Sequence, residues 1–176
     1  MLNCNHWYKG EDKMNTENAK RLHRICFTGH RPEKLNRSER EIKKDLETEI
    51  LRAVSDGFDV FITGMARGVD IWAAETVLKL KNNGYDIKLI CACPYPKFGE
   101  NRTETESKEY NSITENADFI HFVSDGYTPN VFQKRNKWMV DRAARVIAVF
   151  NGSDGGTKNT VEYAERAGVT IVFIDG

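Results

Sequence analysis

From Arg24 onward the chain alternates short β-rich apolar runs with longer stretches whose apolar residues recur at helical spacing, the pattern of βα units and a parallel sheet. It predicts strands at Ile25 to Thr28, Asp59 to Thr63, Ile87 to Ala92, Asp118 to Val123, Arg145 to Phe150 and Val169 to Ile174. These runs are nearly continuous in apolar residues rather than alternating, as expected where helices cover both faces of a sheet. Ser38 with Glu41 forms a capping box ahead of Ile42, Leu46, Ile50 and Val54, and Gly57 ends that helix. Asp70 is expected to cap a second helix that carries Ala74, Val77 and Leu78 and stops at Gly84. Thr103 and Glu106 form another capping box, with Tyr110, Ile113 and Ala117 turned inward. A fourth helix is predicted from about Asn130 to Ala144, and a fifth from Thr157 to Ala167 with Gly168 just beyond its end. The expected fold class is α/β: a three-layer Rossmann-like fold with a mostly parallel sheet of about six strands flanked by helices.

Residues 1–23 are polar and carry no apolar period, so they read as an N-terminal extension that frays or packs loosely, with Met14 as an alternative start. Residues 24–176 then form one domain, long enough to bury a core without disulfides or a structural metal. Lys plus Arg equals Asp plus Glu at 26 each, so net charge offers no attraction to nucleic acid or to an anionic membrane. The longest apolar runs, such as Val146 to Phe150, fall far short of the ~20 residues of a membrane helix. Because the first 24 residues lack the apolar core of a secretory signal, a cytoplasmic location with reduced thiols is expected. Cys91 and Cys93 are read as sending their thiols to opposite faces of a strand, and no second pair stands at zinc-ligand spacing. Core packing and no metal site follow.

Ligands of open parallel sheets bind outside the carboxyl ends of the strands, and three strand-end segments carry suitable chemistry. After the first strand, Thr28-Gly29-His30-Arg31-Pro32 combines a tight turn, a proton or hydrogen-bond donor in His30 and a forked cation in Arg31, which Pro32 biases toward an extended backbone. A plain turn with a surface arginine accounts for it equally well. After the second strand, Gly64-Met65-Ala66-Arg67-Gly68-Val69-Asp70 runs into a helix, so small residues bring free amides and the positive helix end to an anion. It is neither GxGxxG nor a Walker A sequence, and Gly68 serving only helix packing is the competing account. After the fifth strand, Gly155-Gly156-Thr157 again enters a helix, and amides together with the Thr157 hydroxyl are expected to cradle a phosphate, the competing account being a flexible turn with Thr157 as N-cap. On the fourth helix Arg135 and Asn136 are expected to face the same pocket.

Taken together in order, Thr28-Gly29-His30-Arg31-Pro32, the Gly64 to Glu75 segment, Cys93-Pro94-Tyr95-Pro96, Arg135 to Asp141 and Gly155-Gly156-Thr157 resemble the YpsA-like family of the SLOG superfamily over essentially Arg24 to Gly176. Relatives in that superfamily include DprA, a loader of recombinase on single-stranded DNA, and LOG, a phosphoribohydrolase. The resemblance implies a Rossmann-like domain that senses or processes nucleotides, NAD-derived and ADP-ribose-like ligands among them, and it raises homo-oligomerisation through exposed helices. LOG-type hydrolases carry Gly-Gly-x-Gly-Thr-x-x-Glu; here Thr160 stands where the catalytic glutamate would be, and Glu162 is rotated about 200° further round the helix.

The first functional expectation is a protein that senses or sequesters a phosphate-bearing nucleotide or a NAD-derived, ADP-ribose-like ligand, with no cofactor required. Phosphate would sit on the Gly64, Met65, Ala66, Gly68, Asp70 turn and on Gly155, Gly156 and Thr157, with Arg31 and Arg135 adding charge-assisted bonds. Trp72 or Tyr95 would stack on a base, Pro94 would shape the wall, and Thr160 would hydrogen-bond a ribose. The rival is an N-glycosidic nucleotide hydrolase using Glu75, Asp70 or Glu162 as its carboxylate, with Glu75 favoured as catalytic. A DprA-like DNA-handling protein is a third, although a nucleic-acid partner is not expected from so neutral a chain.

Overall fold

A computed structural model describes residues 16–100 and 102–176. Residues 16–21 are helical, with Arg21 donating from Nε to the carbonyl of Ala143 at 3.0 Å and Glu17 paired with Arg24 at 2.5 Å. Cys4 and the rest of the expected extension up to residue 15 lie outside the described residues.

The domain proper runs β1 (Arg24–Gly29), a 3-10 turn (Pro32–Lys34), α1 (Glu39–Ser55), β2 (Val60–Thr63), α2 (Val69–Asn82), β3 (Lys88–Cys93), α3 (Glu104–Asn116), β4 (Phe119–Phe122), α4 (Val131–Asp141), β5 (Arg145–Phe150), α5 (Gly156–Arg166) and β6 (Thr170–Asp175). Every strand pairing is parallel, in the order β4-β3-β2-β1-β5-β6. The chain therefore builds outward from β1 to β4, then returns to β1 and lays down β5 and β6 on its other side. That reversal opens a crevice above β1 and β5, where Thr28 is in register with Ala148 and Gly29 with Val149, and it is the usual place for a ligand in such sheets.

Two apolar clusters make the structure three-layered. On one face Ile25, Phe27, Phe61 and Leu89 of the strands meet Ile42, Leu46 and Ile50 of α1, Val77 of α2 and Ile113 of α3. On the other, Cys26, Ile62, Ala92, Val146 and Ala148 meet Met139 and Val140 of α4 and Val161 and Ala164 of α5. Cys91 and Cys93 both belong to the first cluster while Ala92 between them belongs to the second. Residues two apart on a strand share a face, so the expectation that these thiols point apart is corrected. Burial pushes the thiols of Cys26, Cys91 and Cys93 up, which leaves them as protonated packing groups.

Both expected capping boxes are formed: the Ser38 side chain accepts from the Glu41 amide and the Thr103 side chain from the Glu106 amide, with each glutamate returning to the cap's own amide. The second helix begins differently. Gly68 occupies its N-cap at φ 89°, a left-handed conformation suited to glycine, and Asp70 is the second helical residue rather than the cap. Edge strand β4 also departs from the expected two-sided burial, since Phe119, Ile120 and Phe122 are exposed. No helix among the described residues is long and apolar enough to cross a membrane.

Leu46, fully buried under α1, tests the layer arrangement: Leu46→Ala is expected to cost about 2 to 5 kcal/mol in urea unfolding, whereas Lys44→Ala on the exposed side of the same helix stays within about 0.5 kcal/mol.

Candidate functional site

The crevice above β1 and β5 widens into a cleft of about 820 Å³, within the roughly 300 to 1,000 Å³ common for small-molecule sites. Its lining draws on four strand ends. Thr28, Gly29, His30 and Arg31 come from β1 and its turn, Ala66, Arg67 and Asp70 from the turn after β2, Tyr95 and Phe98 from the segment after β3, and Gly155, Gly156 and Thr157 from the turn after β5; Arg135 and Asn136 project from α4. Arg31, Lys34, Arg67, Arg102 and Arg135 face only three lining carboxylates, Glu33, Asp70 and Glu106. A chain with no net charge thus concentrates positive charge in one concavity, which favours an anion there.

The turn after β2 is filled by protein. A Cβ on Gly64 would collide with the Arg135 guanidinium, and one on Gly68 would lie 2.6 Å from the Pro32 ring. The glycines therefore admit neighbouring side chains. Arg135, buried within α4, donates to the carbonyl of Gly64 and lies 3.4 Å from Asp70 Oδ2. The same carboxylate oxygen accepts from the Ala66 amide at 3.1 Å, and the Asp70 carbonyl accepts from Thr63 Oγ1 at 2.7 Å. Burial pushes the Asp70 carboxyl up, with Arg135 opposing that shift. Met65 takes φ 60°, and its carbonyl accepts from Arg102 Nη2 at 2.7 Å. Arg102 in turn lies over the Phe98 and Tyr110 rings at 5.1 and 4.6 Å.

The turn after β5 is open. Gly155 caps α5 with φ 143° and no side-chain acceptor, and the first turn holds no acidic residue. A Cβ added to Gly156 would meet nothing within 4 Å, and one on Gly155 only the Lys34 ammonium at 3.5 Å. The first amides of α5 thus lack a side-chain cap while the positive end of the helix faces the cleft. Hydrogen bonds stitch this turn to the one after β1: Lys34 Nζ donates to the Asp154 carbonyl at 3.0 Å, and Asn151 Nδ2 to the Lys34 carbonyl at 2.6 Å. His30, only 3% exposed, shares a 3.3 Å hydrogen bond between Nε2 and Ser153 Oγ, and its ring packs on Phe150. Burial, assisted by Lys34, pulls its pKa below 6.5. Arg31 is extended at φ −65° and ψ 152°, as Pro32 dictates, and exposed at the mouth.

Several expected residues stand elsewhere. Glu75 pairs with Lys43 at 2.9 Å and lines a separate depression between α2 and α3, because its helix position turns it toward α1. Trp72 and Met65 belong to the first apolar cluster, and Pro94 is buried outside the cleft lining. Thr160 is buried behind the cleft, where it accepts from Asn136 Nδ2 at 2.8 Å and donates to the Gly156 carbonyl at 2.8 Å. Glu162 pairs with Arg166 at 4.0 Å outside the cleft. No site role was expected from the sequence for Lys34, Phe98, Arg102 or Phe132. Lys34 and Phe98 follow strand ends within a few residues, a signal that was available; Arg102 and Phe132 become neighbours only through the fold.

Among known proteins, the YpsA family model, described as the YspA SLOG family, matches residues 25–175. A UPF0398 protein of Bacillus cereus (strain B4264) is 28% identical over 153 residues, covering 82% of this chain and 83% of that relative. Of solved structures, DNA processing protein A from Helicobacter pylori, described for its single-stranded DNA binding mode, aligns with TM-score 0.65 at 19% identity over 92% of this chain and 68% of that one. DNA processing protein A (DprA) from Streptococcus pneumoniae aligns with TM-score 0.63 at 18% identity over 88% of this chain. The present chain spans about half the length of the latter, 51%, and at these identities the likeness concerns the fold.

Arg135→Met should strand the Asp70 carboxylate in a buried setting and cost about 3 to 5 kcal/mol in chemical denaturation. The Asp70→Asn, Arg135→Met double variant should recover part of that loss; an additive double variant would mean the two side chains are not coupled.

His30 gives a pH signature. Its folded pKa lies below the 6.5 of the free side chain, so the unfolded chain binds the proton first and stability falls as pH drops from 6.5 through the folded value. In His30→Gln that part of the acid loss should vanish, read as a flatter dependence of the urea midpoint on pH below 6.5.

Proposed function

Since the chain belongs to the YspA SLOG family, we propose that its cleft binds a phosphate-bearing nucleotide or a NAD-derived, ADP-ribose-like ligand, which it senses or sequesters. The observation that carries this reading is the uncapped amino end of α5, which faces the cleft beside Lys34 with open space at Gly156. Amides with no side-chain acceptor, a helix dipole and an ammonium group together favour a doubly charged oxyanion over a neutral ligand. Arg31 stands at the mouth and adds a planar fork suited to phosphate.

Holding rather than cleaving fits the carboxylates. Asp70 is engaged by Arg135, and Glu33 and Glu106 lie 2.6 and 3.8 Å from Arg67. Carboxylates already committed to guanidinium partners are poor partners for a developing oxocarbenium charge. Thr160, at the position of the hydrolases' glutamate, spends its hydroxyl on Asn136 and Gly156. DNA processing protein A from Helicobacter pylori, described for its single-stranded DNA binding mode, suggests a second reading, single-stranded DNA in the same positive cleft. An oligonucleotide titration across a salt series separates the two, because phosphate-backbone binding weakens steeply with salt.

ADP-ribose is expected to raise the melting temperature progressively with concentration, by the equivalent of about 2.7 kcal/mol at one hundred times its Kd. Gly156→Asp places a negative charge in open space at the α5 turn, so it should fold normally and lose the rise. The ligand recovered after long incubation should be intact; multiple-turnover release of free base would overturn the reading of a holding site.

A further inference from the structure

We propose that the opposite end of the cleft is an aromatic subsite, built by Tyr95, Phe98 and Phe132, that takes a planar base while the α5 turn takes phosphate; the proposal rests on the phosphate reading for its second half only. All three rings line the cleft. Phe98 is the hub, edge-on to Tyr95 and to Phe132 at 5.8 Å each, and Tyr127 closes the outer side at 6.1 Å from Tyr95 and 6.4 Å from Phe132. Every one of these contacts is edge-to-face, with interplanar angles from 62° to 89°. Phe132 is 39% and Tyr127 66% exposed, so part of the cluster's ring surface is open at the cleft. Exposed aromatic surface of this kind is a stacking partner for another planar ring.

Arg102 supports the assignment. Its guanidinium carbon lies over the Phe98 and Tyr110 rings and the group is anchored to the Met65 carbonyl, and the ion pairs formed among the described residues do not include it. A half-buried cation held beside aromatic rings in the cleft wall offers donors to a base edge. Arg135, in the same wall, keeps a buried Nε without a hydrogen-bond partner among the described residues.

The sheet sets the distance between the two ends. Tyr95 and Phe98 follow β3, and Gly155 to Thr157 follow β5; in the order β3-β2-β1-β5 these are three strand spacings apart, about 14 Å at ~4.8 Å each. That is longer than the reach from base to phosphate within a mononucleotide. It suits a base joined through a pyrophosphate to a second sugar, so the ligand class is a nucleoside diphosphate-sugar or dinucleotide lying across β2 and β1.

Calorimetry of the full chain with ADP-ribose and with ribose 5-phosphate, in wild type, Phe132→Leu, Tyr95→Leu and Gly156→Asp, tests the two ends separately. Wild type should prefer ADP-ribose by about 5- to 150-fold, the contribution of one base stacked on an aromatic side chain. Each leucine variant should lose most of that preference while binding ribose 5-phosphate unchanged, and Gly156→Asp should weaken both ligands. Circular dichroism confirms that the variants are folded, and Phe132 and Tyr95 are independent probes from opposite sides of Phe98. Equal affinity of the two ligands in wild type, or equal weakening of both by the leucine variants, overturns the aromatic subsite. If the leucine variants behave as expected but Gly156→Asp changes nothing, the aromatic subsite stands and the phosphate assignment to α5 falls. If neither probe binds, both fall.

Discussion

The guanidinium of Arg135 joins the two helical layers above the carboxyl edge of the sheet. It leaves α4 on one face and meets the Gly64 carbonyl and the Asp70 carboxylate, which belong to the turn and helix that cover the other face. Around it the β2 turn closes: Asp70 takes the Ala66 amide, Thr63 takes the Asp70 carbonyl, and Arg102 takes the Met65 carbonyl. Two buried opposite charges are tolerable because each is also hydrogen-bonded. Gly64 is small because any side chain would occupy the space of that guanidinium.

This arrangement divides labour between two turns that look alike in sequence. Both join a strand to a helix and both carry glycines at the helix cap, Gly68 for α2 and Gly155 for α5. In the first, the space released by glycine is occupied by Arg135 and Pro32, and an acidic residue in the first helical turn already meets the helix dipole. In the second, the space is open and the helix end has no acidic residue. One turn is an internal strut and the other an open helix entry. The strut also fixes the wall of the cleft, since Arg102 and Arg135 hold their positions through its carbonyls.

How much of this is legible in the sequence depends on the range of the interaction. The capping boxes at Ser38 and Thr103 are closed by partners three residues away, so local spacing suffices to find them. The strand at Arg145 to Phe150 and the open α5 entry are equally local. The role of Gly64 is not, because its contact is 71 residues distant along the chain. The same holds for Asp70, which looks like an N-cap beside a glycine turn yet spends its carboxylate on Ala66 and Arg135. Glu75 illustrates the opposite failure: it lies one helical turn beyond the glycine loop, but the helix turns it to Lys43, away from the cleft. Helical rotation, not distance along the chain, decides which residues after a strand reach a site.

The cleft stores a small electrostatic penalty of its own making. Arg31, Lys34, Arg67, Arg102 and Arg135 converge on one concavity with only Glu33, Asp70 and Glu106 among them, and two of those carboxylates serve a single arginine. Like charges at such spacing repel most where low-dielectric walls focus their field. His30 responds to the same field, being held neutral by burial and by Lys34 beside it. An anion at the α5 turn would relieve this repulsion while making its own bonds, so its binding energy contains both terms. Bound there, it would also contact the β1 and β5 turns that Lys34 and Asn151 already link, and would stabilise the fold at the strand reversal in proportion to its occupancy.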